Sequence, residues 1–288
     1  TNEEITVSQL NKKVSGLPTL SLLSMAAVAA MGVAGQAQAD TATGNIGVFS
    51  KYVLRGNAGT CDKVPTGGTC VAPENSGTAV QGGFDWAWDS GLFLGYWGSN
   101  LDYTYNPGSA TGTYGSSGFE NDFYGGFGGK LGSMAYTIGL TQYYYINVDD
   151  SNLLELFGTL GAGPVTLGFK YLLQDGVWGN QGDTYLTATY ATDLPKGFKF
   201  SGTAGHYIYD KSDNDELCTG ANGGVSAPAG CGVTKTSSAF RHVDLTLSHP
   251  IGKTGAEAGI TYTIGGKLRT EQDIDNTAVL FVKYAFDL

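Results

Sequence analysis

Apolar and polar residues alternate along this chain over stretches of about 10 to 13 positions, and residues that favour turns separate the stretches. In the last stretch every second residue is apolar: Leu280, Val282, Tyr284, Phe286 and Leu288. A period of two is that of a β-strand, because successive strand residues point to opposite faces. The 45 glycines and 17 tyrosines also favour strands and tight turns over helices.

Counting every such stretch predicts about twelve strands, an even number, as a single-chain transmembrane barrel requires. They lie near residues 44–56, 78–88, 91–101, 119–130, 134–146, 152–160, 165–174, 183–192, 197–210, 239–249, 255–265 and 276–288. Short and long connections alternate, as periplasmic turns and extracellular loops do. We therefore predict an all-β fold, a transmembrane antiparallel up-and-down β-barrel with its aromatic face outward. A secreted β-sandwich or a soluble barrel, with its apolar face inside, is the alternative.

The N-terminal region has the layout of a secretory signal. Lysines precede an alanine-rich apolar run over residues 20–33, and Ala37 and Ala39 supply the small residues that signal peptidase reads. At about 14 residues the run is shorter than the roughly 20 that a spanning helix needs, so a membrane anchor is the weaker interpretation. We expect residues 1–39 to be a cleaved signal peptide and residues 40–288 to form the barrel.

The net charge of −10 makes nucleic acid an unsuitable partner, because phosphate binding needs basic patches. Removing residues 1–39 leaves this charge unchanged, since two lysines and two glutamates leave together.

The four cysteines form two close pairs, each inside a stretch rich in glycine, threonine and proline. In an exported chain we expect the two local disulfides, Cys61 with Cys70 and Cys218 with Cys231. Zinc is the alternative, but the spacing and the lack of a nearby histidine fit zinc poorly.

Residues 45–56 and 79–102 carry two motifs that together resemble the Gcw_chp family of TorF-type porins. The matching residues are Asn45, Gly47, Ser50, Tyr52, Arg55, Gly56, Gln81, Gly82, Gly83, Asp85, Trp97, Ser99 and Asn100. The resemblance implies a bacterial outer-membrane location and a pore, and it brings no catalytic residue or cofactor. Outer-membrane barrels usually end on an aromatic residue, and this chain departs from that pattern by ending on Leu288.

The strand register predicts a charged inner face. The expected pore-lining residues are Lys51, Arg55, Asp85, Glu120, Asp122, Lys130, Glu155, Lys170, Lys199, Asp244, Glu257 and Lys283. Acidic and basic members are equal in number, so a mutually paired network across the lumen is expected. Such a network either holds the barrel shut or lines a narrow polar path. The resemblance favours the path.

An enzyme is the less favoured interpretation. His206, His242 and His249 with several serines are the material for a hydrolase site, but the chain has no Gly-x-Ser-x-Gly elbow. His206 is predicted on the lipid face, His249 at a periplasmic turn and His242 at the outer end of its strand, so interface polarity explains all three. No metal site is expected either, since the acidic run 210–216 lacks the glycine and the distal glutamate of an EF-hand.

We expect a porin-like barrel that passes small polar solutes or ions, with a mild cation preference from an acidic mouth. The alternative is a non-conducting structural or adhesive barrel with recognition loops. The acidic loop residues are Asp62, Glu74, Asp102, Asp149, Asp150, Asp175, Asp210, Asp213, Asp215 and Glu216, against Lys63, Lys211, Lys235, Lys267 and Arg269. The expected partners are outer-membrane lipid and lipopolysaccharide, the barrel-assembly machinery through the C-terminal strand, and small polar solutes.

Overall fold

Twelve antiparallel strands form one closed barrel in the computed structural model of the chain. The structure describes residues 40–59, 73–106, 109, 114–115, 117–211 and 234–288. The strands are β1 (Thr41–Phe49), β2 (Ala79–Ala87), β3 (Leu92–Asn100), β4 (Phe119–Leu131), β5 (Met134–Ile146), β6 (Leu154–Ala162), β7 (Val165–Leu172), β8 (Thr184–Asp193), β9 (Lys199–Ile208), β10 (Ser238–Pro250), β11 (Ala256–Gly265) and β12 (Thr277–Asp287). The predicted fold class and strand number are confirmed.

Each strand pairs with its sequence neighbours, and β1 closes the barrel against β12 with Thr43 opposite Asp287 and Phe49 opposite Phe281. Closure pairs every strand on both sides, so no edge is left unpaired. Two 3₁₀ turns, Leu54–Gly56 and Pro195–Gly197, are the other regular elements in the described part of the chain. Within that same part, no helix is long and apolar enough to cross a membrane.

The connections sort by length between the two ends of the barrel. One end, here called the short-turn end, holds the chain termini of the barrel and the turns 88–91, 132–133, 163–164, 194–198 and 251–255. The other, the long-loop end, holds the connections 50–78, 101–118, 147–153, 173–183, 209–237 and 266–276. The tight turn after β4 uses Gly132 at a φ of 65°, a conformation that favours glycine. The predicted alternation of short and long connections is confirmed.

The outer face of the barrel is apolar and open to its surroundings. Leu94 is 53% exposed, and Phe84 and Phe123 are each 50% exposed. A soluble protein would bury such side chains against a second layer. A transmembrane barrel turns them toward lipid. The predicted inversion, with aromatic residues outside and charged residues inside, is confirmed.

The first strand ends earlier than the alternation predicts. We expected one strand over residues 44–56, but β1 ends at Phe49 and the chain turns into the barrel. Arg55 therefore faces the interior from a 3₁₀ turn and not from a strand. The four cysteines and residues 1–39 lie outside the described residues, so the disulfides and the signal peptide stay predictions.

Candidate functional site

The site begins with residues 50–59, here called the inward segment, which leave β1 and fold into the lumen. Ser50 fixes their start to β12: its backbone N–H donates to the Leu280 carbonyl at 2.8 Å, and its Oγ accepts the Leu280 N–H at 2.9 Å. Tyr52 then forms an antiparallel bridge with Asn75, its N–H donating to the Asn75 carbonyl at 2.8 Å. The inward segment is thus held by strand-like bonds at its beginning.

Arg55 lies at the tip of the inward segment, and its guanidinium reaches the barrel wall far from β1. One terminal nitrogen donates to Glu155 Oε1 at 2.8 Å and Oε2 at 2.7 Å, and to the Tyr143 hydroxyl at 3.0 Å. The other donates to the Tyr207 hydroxyl at 2.9 Å. These partners stand on β5, β6 and β9, so the guanidinium connects side chains of three strands.

Aromatic rings enclose the same guanidinium. Its central carbon lies 5.1 Å from the ring centre of Tyr185, 5.6 Å from that of Trp178 and 6.0 Å from that of Tyr207. Such distances allow cation–π attraction. Together Tyr143, Glu155, Trp178, Tyr185 and Tyr207 form what we call the Arg55 cage.

Lys170 on β7 shares the carboxylate of the cage. Its ammonium lies 3.2 Å from Glu155 Oε2 and donates to the Tyr143 hydroxyl at 2.8 Å. A buried carboxylate is costly unless it is paired. Glu155 is fully buried and meets this condition with two cations.

The inward segment is packed as well as hydrogen-bonded. Gly56 lies against β10: a Cβ there would come within 2.3 Å of the Cβ and Cγ atoms of His242, and its φ of 74° favours glycine. Arg241 donates from Nε to the Arg55 carbonyl at 3.1 Å. Three side chains of the inward segment, Tyr52, Val53 and Ala58, share one buried cluster with side chains from the long-loop end: Leu101, Tyr105, Val148, Leu153, Leu268 and Ile274. This packing fills the lumen at the long-loop end.

Acidic side chains from β4 and a neighbouring loop face the same interior. Glu120 accepts a hydrogen bond from the Tyr145 hydroxyl at 3.0 Å, and Glu74 accepts one from the Tyr103 hydroxyl at 2.6 Å. Burial, together with the negative charge of Glu120, raises the pKa of Glu74 to about 8. We expected Glu74 at a solvated mouth, and this was wrong: it is buried, with 7% of its surface exposed.

A second charged cluster lies nearer the short-turn end. Glu257 on β11 contacts Lys199 of β9 at 2.6 Å and Lys283 of β12 at 2.7 Å. All three side chains come from the barrel wall. The rest of this half is lined largely by small residues, and hydroxyl pairs such as Thr189 with Thr203, 3.0 Å apart, join neighbouring strands. Large buried side chains are thus concentrated at the long-loop end, and Phe93, 1% exposed near the start of β3, is an exception.

The twelve predicted inner residues all take part in the interior or its rim, but they do not form one network. Three belong to the Arg55 cluster and three to the Glu257 cluster, as described above. Asp85 accepts a hydrogen bond from Tyr124, Asp244 accepts one from Thr263, and Lys51 donates one to Thr277 at 3.0 Å. Glu120 and Asp122 are buried side by side on β4, and Lys130 is exposed at the short-turn end. Their role in lining a pore stays a prediction.

His242 is not a residue of the membrane interface, and this part of the histidine interpretation was wrong. It is inside the barrel and 2% exposed, with Nε2 2.6 Å from the Tyr185 hydroxyl and Nδ1 3.2 Å from Asp244. His206 pairs with Phe240 and Leu186 on the outer face. His249 is exposed beside the turn that begins at Pro250. The three histidines therefore lie in three different environments: inside the barrel, on its outer face and beside a turn.

Sequence reasoning also missed the burial of Arg241, Asp183 and Arg269. A register shift between Phe240 and His242 turns Arg241 inward, and strict alternation does not reveal such a bulge. Arg269 was expected at the mouth, which was wrong, because it is buried on Asp183 with its guanidinium carbon 4.7 Å from the Tyr209 ring centre. Loop residues carry no periodic signal that would place them.

Some of the motif residues identified in the sequence meet at the inward segment. Tyr52 packs edge-on against Trp97 at 5.6 Å between ring centres, and Gln81 donates to the Ser99 hydroxyl at 3.3 Å. Arg55 is the tip itself. Two stretches that are separate in sequence thus build one feature, the closed interior at the long-loop end.

A closed barrel with an apolar exterior and a charged interior is a porin-like transmembrane β-barrel. The chain belongs to the Gcw_chp family, described as a bacterial protein of unknown function, whose profile matches residues 33–216. The resemblance seen in the two motifs is confirmed. Because bacterial transmembrane β-barrels are outer-membrane proteins, the protein is located in the outer membrane. We expect the short-turn end to be periplasmic and the long-loop end to be extracellular.

Solved structures of outer-membrane proteins are similar to the chain at low sequence identity. The KdgM porin shares 8% identity at a TM-score of 0.47, over 85% of this chain and 99% of that chain. The COG4313 outer membrane channel from Pseudomonas putida F1 shares 11% at 0.49, over 89% and 98%. The outer membrane protein OprD from Pseudomonas aeruginosa shares 9% at 0.38, over 74% and 60%. No curated protein sequence matches the chain.

Proposed function

We propose that this barrel lets small polar solutes or ions diffuse across the outer membrane, with a mild preference for cations. The observation that supports it is the charged interior of the transmembrane barrel, where Arg55 and Lys170 meet Glu155, and Glu120 and Asp122 are buried on β4. Charges held inside a membrane are costly and mark polar pathways.

The cation preference rests on the balance of these charges and on the loops. Glu120 and Asp122 add acidic groups to the lumen beyond the one that pairs with Arg55 and Lys170. Acidic loop residues, Asp149 and Asp175 among them, add to the extracellular side. Their potential concentrates cations but reaches only about 8 to 10 Å at physiological salt. The preference is therefore weak and salt-dependent.

Passage needs the inward segment to move. Tyr52, Arg55 and their neighbours are buried between the walls at the extracellular end. We infer that the described conformation is the closed one, and that withdrawal of the inward segment opens the path.

Reversal potentials in a planar bilayer test the proposal. The purified protein should show small conductance steps between closed and open levels, with cations favoured at low ionic strength and the preference fading as salt rises. A preference for anions would contradict the charge argument. An absence of conductance under all voltages would contradict passage itself.

A non-conducting structural or adhesive barrel is the second candidate, and the filled extracellular half of the lumen favours it. This candidate predicts no conductance even when the inward segment is shortened. The bilayer measurement on such a deletion therefore separates the two.

We also propose that residues 1–39 are removed on export, that the assembly machinery binds the C-terminal strand, and that the barrel contacts lipid and lipopolysaccharide. N-terminal sequencing of membrane-extracted protein should begin at Asp40. Any other start would contradict the cleavage site.

We further propose that the two cysteine pairs form disulfides within their own loops, and non-reducing peptide mapping checks this pairing.

A further inference from the structure

We propose that the Arg55 cage is a binding site for organic cations that carry a guanidinium or ammonium group, and that Arg55 fills it as the protein's own ligand. The inference rests on the proposed function for the route by which such a solute arrives. Contacts of Arg55 inside the lumen support the binding site itself.

The cage presents the groups that recognise a guanidinium. The Glu155 carboxylate accepts from one terminal nitrogen of Arg55 through both oxygens, at 2.8 and 2.7 Å, and the hydroxyls of Tyr143 and Tyr207 accept at 3.0 and 2.9 Å. Hydrogen bonds from a guanidinium to a carboxylate are charge-assisted and stronger than those between neutral groups. Free guanidinium-bearing molecules present the same planar donors.

Aromatic faces complete the recognition. Tyr185 and Trp178 place their ring centres 5.1 and 5.6 Å from the guanidinium carbon. Rings around a cation are the feature by which proteins hold quaternary and substituted ammonium ligands. The cage is therefore suited to organic cations more than to hydrated metal ions. Within the described residues, no cluster of histidine, cysteine and acidic side chains is arranged to hold a metal.

Arg55 is an exchangeable occupant because it is not part of the wall. Four cage residues stand on β5, β6, β8 and β9, whereas Arg55 is carried on the inward segment. By contrast, Lys199, Glu257 and Lys283 are all wall residues, so no movement of a loop separates them.

The fit of Arg55 is also imperfect. Its backbone is left-handed, with φ 47° and ψ 45°, a conformation that costs a non-glycine residue energy. Its buried Nε has no hydrogen-bond partner among the described residues. A free ligand would bring neither constraint.

Lys170 remains beside Glu155 when Arg55 leaves, and it neutralises part of the carboxylate charge. Withdrawal of Arg55 removes one of the two basic groups that contact Glu155, so the buried carboxylate can accept another cation in its place.

Calorimetric titration of the purified, refolded protein in detergent tests the inference without requiring conduction. Methylguanidinium is the probe, and urea, planar but uncharged, is the control ligand. Arg55→Ala should bind methylguanidinium at least about tenfold more tightly than the wild type, in which Arg55 competes for the cage. Arg55→Lys should resemble the wild type, because its ammonium still fills the site. The double variant Arg55→Ala with Glu155→Gln should lose the gain.

Equal binding by the wild type, Arg55→Ala and the double variant would overturn the inference, as would equal binding of urea and methylguanidinium. If Arg55→Ala does not fold alone, methylguanidinium added during refolding should increase its yield, and no increase would also overturn the inference. Conductance without binding would leave the proposed function standing and reject the cage. Binding without conductance would keep the cage and reject passage.

Discussion

Glu155 and Glu257 form a matched pair at the scale of single residues. Each carboxylate contacts two basic side chains inside the barrel, but only Glu155 holds a partner that lies on the inward segment. Glu155 is also the more deeply buried of the two, at 1% side-chain exposure against 9%. The same substitution at both positions therefore distinguishes an effect on the inward segment from an effect on the barrel wall.

We predict that Glu155→Gln releases the inward segment and destabilises the closed state by about 3 to 5 kcal/mol, the cost of leaving buried charges unpaired. Hydrogen exchange of backbone amides in residues 50–59 should become faster than in the wild type. Glu257→Gln should leave that exchange unchanged, because Lys199 and Lys283 both stand on strands of the barrel wall. Equal acceleration in both variants would show that the barrel as a whole has loosened.

Glu74 gives a pH dependence with a defined sign. Burial raises its pKa from 4.5 to about 8 in the folded protein, so the folded state retains a proton that the unfolded state loses. The stabilisation is complete below about pH 4.5 and is lost as the pH rises to about 8. We predict that the melting temperature of the wild type falls across this window and that Glu74→Gln flattens the fall.

The matched control for this prediction is Glu271→Gln, which changes an exposed glutamate in another extracellular loop. It should keep the pH dependence of the wild type. A melting curve that falls equally in Glu74→Gln and in the wild type would contradict the assignment to Glu74.

Whether the sequence could predict the burial of a residue depends on its position in the fold. Glu155, Lys170 and Glu257 stand in regular strands, so alternation alone identified them as inward. Arg241 follows a bulge and Glu74 lies in a loop, and neither obeys a period of two. Their burial depends on contacts with distant parts of the chain.

At the scale of elements, the first connection matters most. The sequence alternation continues past Phe49 through Lys51, Val53 and Arg55, but the inward segment does not bury alternate side chains, since the neighbours Tyr52 and Val53 are both buried. A strand and an inserted segment thus share one sequence pattern. The end of β1 was therefore predicted too late, while the β4–β5 hairpin, with its glycine turn, was placed closely.

We predict that Gly56→Ala displaces the inward segment. Its φ is 74°, and the added Cβ would overlap His242 at 2.3 Å. Gly132→Ala is the matched control, since its φ is 65° but nothing lies within 4 Å of the added Cβ. The control should cost about 1 kcal/mol from backbone strain alone, and Gly56→Ala should cost more. Denaturant unfolding and the frequency of channel opening measure the two effects.

If Gly56→Ala and Gly132→Ala lower stability equally and leave opening unchanged, the contact between Gly56 and His242 does not hold the inward segment. If only Gly56→Ala increases opening, the contact is part of the closure. His242→Ala, which removes the ring, should then relieve part of the effect of Gly56→Ala.

At the scale of the whole molecule, strand number, closure and the outward apolar face followed from repeated local patterns, so the sequence predicted them well. The packing of side chains inside the lumen could not be predicted from these patterns. Lys170 and Glu257 were expected in one network, but they belong to two separate groups. Lys170 contacts Glu155 beside the inward segment, and Glu257 contacts two wall lysines nearer the short-turn end. That division needs the three-dimensional path of residues 50–59, which no periodicity specifies.

The sorting of connections by length predicts the orientation of the barrel. Residues 57–77 and 211–238 belong to long connections on the same end, and bacterial barrels place long loops outside the cell. A peptide tag inserted in either stretch should bind antibody on intact cells, whereas a tag at Ser90 or next to Pro250, at the opposite end, should bind only after the outer membrane is permeabilised. Correct assembly of each tagged protein is checked by resistance of its β-barrel to unfolding in cold detergent. Antibody binding at Ser90 on intact cells, with the long loops hidden, would reverse the orientation and place the Arg55 cage near the periplasmic end.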